Sequence, residues 1–217
     1  MNPARKSAED PGKHPWRRWF DSRPILIALA GPNGAGKTTF FEAHLRPSGL
    51  RLLNADALAR ELDIDAYDAA RVVTQLRLEF VRLRESFVFE TVFSDPVGDK
   101  LSFLTNTVGA GYTVVLCFIG LASVEQSEER VAIRVSQGGH DVPTQKLAER
   151  LPRILANLKA AIRALPHVVV FDNADLRTPF RRVAVFENGQ PMLLRRPVPP
   201  WLKSCLDSRG SKGERKP

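Results

Sequence analysis

A chain of 217 residues, 43% hydrophobic and 26% charged, suffices for one domain with a real core and no disulfides. No apolar run approaches the ~20 residues that cross a bilayer, and no apolar segment follows the basic N-terminus as a secretory signal would. The net charge of +8 belongs to the ends: residues 1–23 hold six Lys/Arg against three Asp/Glu, residues 195–217 hold seven against two, and the body between is balanced, which argues against nucleic acid as a partner.

The expected organisation is a basic N-terminal tail (1–23), one domain (24–200) and a basic C-terminal tail (201–217). Within the first tail, the aromatic cluster Trp16 to Phe20 is the part able to pack on the domain or hold a partner. Two separated cysteines, Cys117 and Cys205, have neither metal nor redox spacing and read as reduced thiols of a cytoplasmic protein.

In chain order, Ile25–Ala30 is an apolar run of strand length that breaks into Gly31-Pro32-Asn33-Gly34-Ala35-Gly36-Lys37-Thr38. This fits G-x-x-x-x-G-K-[ST] in full, and a helix is expected to follow over Lys37–Leu45. The glycines let backbone N–H groups turn inward at a helix N-terminus and form a concave anion site. Lys37 then reaches the β- and γ-phosphates of a nucleoside triphosphate, the Thr38 hydroxyl binds Mg²⁺, and Thr39 continues the same turn. A plain strand-to-helix turn has no need of Lys-Thr at those two positions.

A short strand, Arg51–Asn54, leads to Asp56, 19 residues beyond Lys37. A carboxylate there can take a proton from an alcohol, or it can cap the helix "ALAREL"; both readings stand. A helix over Ala66–Arg84 precedes the strand Phe87–Phe93, whose apolar run is interrupted by Glu90 and Thr91. A carboxylate in such a run is costly unless paired or ligated, so Glu90 is either a contact to a substrate hydroxyl, a water-mediated contact to Mg²⁺, or half of a structural pair with an arginine.

"SDPVGDK" reads as the start of a helix over Val97–Thr107, with Asp95 as cap and Pro96 at its first position. The strand Thr113–Gly120 and helix Val124–Ser136 follow. Gly138-Gly139 then breaks the pattern before a helix over Pro143–Leu165. Arg130 and Arg134 share one helix face, while Arg150 and Arg153 sit on the next helix. Such a pair of helices can close arginines over phosphates, with Arg134 and Arg150 the preferred cations, since Glu149 offers Arg153 a surface partner. His140 is expected to make a hinge hydrogen bond.

Val168–Phe171 is a further buried strand, and "RVAVFENGQPMLLRR" is a β-hairpin around Asn-Gly. The expected fold is α/β of the P-loop kinase type: a parallel sheet of about five strands flanked by helices, with a C-terminal β-hairpin.

Together "GPNGAGKTT", "NAD", "FETVFS", "RVAIRVSQGGHDVP…R" and "VVVFDN" resemble the zeta toxin family of P-loop kinases, and within it the short members often labelled predicted ABC-type ATPases. The resemblance spans about residues 24–190 and implies ATP with Mg²⁺ as donor and a small hydroxylated acceptor, such as UDP-N-acetylglucosamine or another nucleotide-containing metabolite. It makes Asp56 the base, Glu90 and Thr91 acceptor contacts, Arg134 and Arg150 lid cations, and Asn173 a neighbour of the adenine. It also implies an antitoxin protein as partner.

The rival is an ATPase doing mechanical or regulatory work. "SQGGH" lacks the Ser-Gly-Gly-Gln order such enzymes use, and Asp172 is followed by Asn173 rather than a second carboxylate. A kinase for a nucleoside, a dinucleotide or an antibiotic alcohol is the other alternative. A GTP switch would need an Asn-Lys-x-Asp guanine reader, which the sequence lacks.

Overall fold

The computed structural model describes residues 15–206 apart from 97, 139 and 140. Its strands are β1 (Ile25–Ala30), β2 (Arg51–Leu53), β3 (Phe87–Thr91), β4 (Thr113–Gly120), β5 (His167–Asp172), β6 (Arg181–Glu187) and β7 (Gln190–Leu194). They form one sheet in the order β2-β3-β1-β4-β5-β6-β7. The five strands from β2 to β5 are parallel, and β6 and β7 add antiparallel at the β5 edge.

The first strand is the centre of the parallel part, between β3 and β4: the chain goes from it to β2 on one side, and from β3 crosses it to β4 on the other. That divergence opens a crevice at the carboxyl ends of the strands, where open α/β sheets bind ligands.

The helices are α1 (Lys37–Phe40, extended by a π turn over Phe41–Leu45), α2 (Ala55–Leu62), α3 (Ala66–Arg82), α4 (Asp99–Gly109), α5 (Val124–Ser136), α6 (Thr144–Ala164) and α7 (Pro200–Leu206). Successive strand residues face opposite sides, so β1 and β4, apolar throughout, feed two cores. Leu26, Phe87, Phe89, Leu116 and Phe118 pack with Leu104 of α4 and Ile154 and Leu158 of α6. Ile27, Leu29, Ile119 and Val169 pack on the other side with Phe40 and Phe41. Each such side chain, fully buried, stabilises the fold by roughly 1.5–3 kcal/mol relative to exposure.

Several boundaries differ from those expected. The basic ends do not stop at residues 23 and 201. A 3-10 helix over Pro15–Asp21 seats Trp19, 4% exposed, in the core and stacks its ring on His167 at 4.1 Å between centroids. At the other end Trp201, Leu202 and Cys205 of α7 are buried. The first follows from the aromatic cluster inside the basic N-terminal run, whereas nothing in the charge count pointed to the second.

Asp95 is not the N-cap residue expected, although its carboxylate reaches the first turn of the helix from outside it. The α4 helix begins at Asp99 behind Gly98, and Asp95 accepts from Lys100 N at 3.2 Å while its other oxygen pairs with Lys100 Nζ. Val97, the expected helix start, lies outside the described residues. The hairpin forms as expected, with Asn188 (φ 49°) and Gly189 (φ 77°) both in the left-handed region that a tight two-residue turn requires. It extends the main sheet instead of standing apart from it.

Candidate active site

The glycine-rich loop joins β1 to α1 under tight restraint. A Cβ on Gly31 would lie 2.1 Å from the Ile119 carbonyl oxygen at the end of β4, so only glycine lets the loop leave the sheet here. Gly36, at φ 85°, is the N-cap of α1 and supplies no side-chain cap. The first N–H groups of that helix are thereby left to face an anion. Behind the loop, the Ser127 hydroxyl of α5 donates to the Asn33 carbonyl at 2.5 Å.

Lys37 is 7% exposed, and its ammonium donates to the carbonyls of Gly31 at 3.1 Å and Pro32 at 3.0 Å. Burial pulls its pKa below the ordinary 10.5, against the opposing charges of Glu90 and Asp56. The ammonium therefore sits inside the loop as a poorly hydrated cation, which strengthens its attraction to an incoming phosphate.

The carboxyl ends of β2 and β3 bring the acidic groups. Glu90 Oε2 accepts from the Thr38 hydroxyl at 2.9 Å and from the Asn54 amide at 2.7 Å, while Oε1 lies 3.7 Å from Lys37 Nζ. The ion pair seen for Glu90 among the described residues is with Lys37 rather than with an arginine. Asn54, not Asp56, is the cap of α2: its Oδ1 accepts from Ala57 N at 3.0 Å. Asp56 sits in the first turn of that helix, exposed, and lines the cleft.

Thr91 is buried, and its hydroxyl oxygen accepts from Phe93 N at 3.1 Å, a turn that places Phe93 at φ 63°. Its oxygen is thus committed to its own backbone, and its O–H remains as a donor at the cleft wall.

A cleft of about 440 Å³ runs over the loop between α2 and α5, bounded by Lys37, Thr38, Asp56, Glu90, Arg130 and Arg134. Thr39, Asn33, Gly34 and Gly36 also line it. A second lobe of about 280 Å³ shares Asp56, Glu90 and Arg134 and extends to Arg60 and Gly138. The nucleotide side and the α2 side thus meet around the two carboxylates.

Not every expected residue reaches this cleft. Arg134 does, near enough for its charge to oppose protonation of Lys37. Arg150 does not line it; its Nη1 donates to Asn33 Oδ1 at 3.3 Å, bracing the loop tip. Asn173 is 3% exposed, its amide donates to the Ala35 carbonyl at 2.9 Å, and its Oδ1 accepts from Phe180 N at 3.1 Å. Both polar ends of the side chain thus prop the loop from behind. Of the expected hinge Gly138-Gly139, Gly138 is described, at φ 83°, while Gly139 and the neighbouring His140 lie outside the described residues.

Asn54 escaped the sequence reading as a site residue, and Arg130 entered it only as the companion of Arg134 on one helix face. Asn54 carried a signal, since it immediately precedes a helical pattern, the usual place for a cap. Arg130 shares the cleft-facing side of α5 with Arg134, and its Nη2 donates to the Asn173 carbonyl at 2.6 Å, tying α5 to the segment after β5.

The family described as AAA domain matches residues 26–161, from β1 through most of α6. No curated protein matches the sequence. Among solved structures, the AvrRxo1-ORF1:AvrRxo1-ORF2 complex with ATP superposes at a TM-score of 0.64 and 16% identity, over 81% of this chain and 63% of that one. The same complex with sulphate ions gives the same values. The PezAT chromosomal toxin-antitoxin system of Streptococcus pneumoniae superposes at 0.52 and 18% identity, over 70% of this chain and 69% of that one. This chain therefore spans less than two thirds of the AvrRxo1 chain it matches. At such identities the likeness is one of fold, the α/β P-loop kinase type.

Proposed function

This chain belongs to the AAA-domain family of P-loop proteins, and on that premise we propose that it is an ATP-dependent kinase acting on a hydroxyl of a small acceptor. The observation that carries the reading is the cluster at the ends of β2 and β3. One carboxylate, Glu90, is bonded to the loop hydroxyl Thr38, and a second, Asp56, lines the same cleft.

The donor set fits Mg²⁺. The Thr38 hydroxyl donates its proton to Glu90, which turns its lone pairs outward, and hydroxyl and carboxylate oxygens are the hard ligands this ion takes. Thr38 would hold it directly and Glu90 through the Thr38 bond or a water; when bound, the ion neutralises charge on the β- and γ-phosphate oxygens.

The remaining roles follow from position. Loop amides and Lys37 hold the β- and γ-phosphates, and Thr39 lines the nucleotide side. Arg134 from α5 supplies positive charge to the transferring group, while Arg150 acts on the loop through Asn33. The acceptor oxygen attacks the γ-phosphorus, the bond to the β,γ-bridging oxygen breaks, ADP leaves, and Asp56 takes the hydroxyl proton. Thr91, with its free O–H, contacts the acceptor together with Glu90.

Resemblance to the zeta toxin kinases supports UDP-N-acetylglucosamine, or another nucleotide-containing metabolite, as acceptor. The likeness in fold to a toxin-antitoxin system supports an antitoxin protein as partner. Among the described residues no helix is long and apolar enough to cross a membrane.

The test is Asp56→Asn. Because Asn54 caps α2, the substitution leaves the helix start intact and removes only basicity. Acceptor-dependent ADP formation should fall by roughly 10²–10⁴-fold with ATP affinity kept. UDP-N-acetylglucosamine is the first acceptor to try, then dinucleotides and nucleosides. Near wild-type transfer by the folded variant would remove Asp56 from the chemistry.

A further inference from the structure

The Asn54 side chain makes two bonds that the kinase reading does not use, and they join the two carboxylates of the site. The register of β2 on β3 sets Leu53 opposite Phe89, so the next residue along each strand places Asn54 beside Glu90. At that point β2 ends and α2 begins. Asn54 Oδ1 accepts from Ala57 N at 3.0 Å and fixes the first turn of α2, the turn that carries Asp56. Asn54 Nδ2 donates to Glu90 Oε2 at 2.7 Å.

We infer that Asn54 is a positioning residue: a single amide locks the metal-side carboxylate, Glu90, to the helix turn that presents Asp56. The part concerning Asp56 rests on the kinase reading above; the hold on Glu90 does not.

The chemistry of the amide explains why this residue type is required. A capping side chain needs an acceptor oxygen, which Ser, Thr, Asp and Asn all provide. Only an amide of this length adds an N–H donor aimed the other way. Aspartate would set a second negative charge against Glu90, and serine is too short to bridge.

The bond also orients Glu90. Thr38 Oγ1 and Asn54 Nδ2 both donate to Oε2, which leaves Oε1 turned towards Lys37. Without Asn54 the carboxylate keeps only the Thr38 contact on Oε2 and can rotate away from the place where Mg²⁺ and the phosphates would meet. Outer-shell hydrogen bonds of this kind change metal affinity or activity by about 10–100-fold when removed.

The deciding variant is Asn54→Ser, which keeps a cap and loses the bond to Glu90. ATP binding is titrated calorimetrically with and without Mg²⁺ for wild type, Asn54→Ser, Glu90→Gln and the double variant, with thermal unfolding recorded for each. The expected result is an unchanged Tm in Asn54→Ser, unchanged ATP affinity without Mg²⁺, and about a 10–100-fold loss of the Mg²⁺-dependent gain. The double variant should then be no weaker than Glu90→Gln alone, since Asn54 acts through that carboxylate.

A wild-type Mg²⁺ gain in Asn54→Ser, or losses that multiply in the double variant, would overturn the inference and reduce Asn54 to a helix cap. If Asn54→Ser fails to fold, Asn54→Thr carries the same expectation, as threonine also caps and also falls short of Glu90. The readout separates the two readings: loss of Mg²⁺-dependent ATP binding in Asn54→Ser, with no acceptor phosphorylated by wild type, would sustain the hold on Glu90 and sink the kinase. Phosphate transfer by wild type with an unaffected Asn54→Ser would do the reverse.

Discussion

Two strand-end acids of this sheet look alike in sequence and have opposite fates. Glu90 ends an apolar run on β3, and Asp172 ends one on β5. Around Glu90 every partner belongs to the cleft: Thr38 and Lys37 of the loop and Asn54 at the start of α2. Around Asp172 the partners come from the last part of the chain: Trp201 Nε1 of α7 donates to one oxygen at 3.2 Å and Arg181 of β6 to the other at 3.0 Å. Gly120 lets the Trp201 ring approach so closely that a Cβ there would lie 2.2 Å from it. An acid is available for chemistry when its neighbours are themselves ligand-facing. It is structural when an indole and a guanidinium consume both oxygens. The rival ATPase reading needs a second carboxylate directly after Asp172 to act on water, and Asn173 stands there, while Asp172 itself is already bonded to Trp201 and Arg181.

The contrast can be pushed hardest at the loop. Lys37→Ala removes the buried ammonium that the cleft directs at the phosphates. Turnover should fall by at least the ~10²–10³-fold typical of losing one preorganised donor, with the fold retained. Steady-state ADP formation and a thermal melt check both halves of this statement.

A smaller effect, of a different kind, is expected on the other side of the sheet. Asp172→Ala leaves the buried Trp201 N–H without an acceptor and should cost about 1–3 kcal/mol of stability. Arg181, whose side chain is 37% exposed, can return to water and adds little. Chemical denaturation measures the loss, and turnover per folded molecule should stay near wild type. A stable but inactive Asp172→Ala protein would break the contrast.

How much of this was legible in the chain follows the same divide. The loop was readable because its chemistry dictates consecutive residues, Gly31 to Thr38, and the parallel strands because burial on both faces leaves uninterrupted apolar runs such as "TVVLCFIG". Asp56 stayed between base and cap because its side chain suits both, and Asn54, the actual cap, was read only as the end of a strand. Only the strand register shows which one faces Glu90. The contacts of Asn173 were out of reach of the sequence because both of its partners, Ala35 and Phe180, are brought to it by the fold alone. The same holds for α7, whose Trp201 closes over Gly120 from 81 residues further along the chain.

The most direct measurement follows the γ-phosphate itself. Wild type, Glu90→Gln and Asp172→Asn are incubated with γ-labelled ATP, Mg²⁺ and a fractionated metabolite extract, and the labelled products are identified by mass. Wild type and Asp172→Asn should place the label on a small hydroxylated molecule, while Glu90→Gln should leave it on ATP. Label found only as free phosphate with wild type, or transfer lost in Asp172→Asn and kept in Glu90→Gln, would contradict the assignment of the chemistry to the ends of β2 and β3.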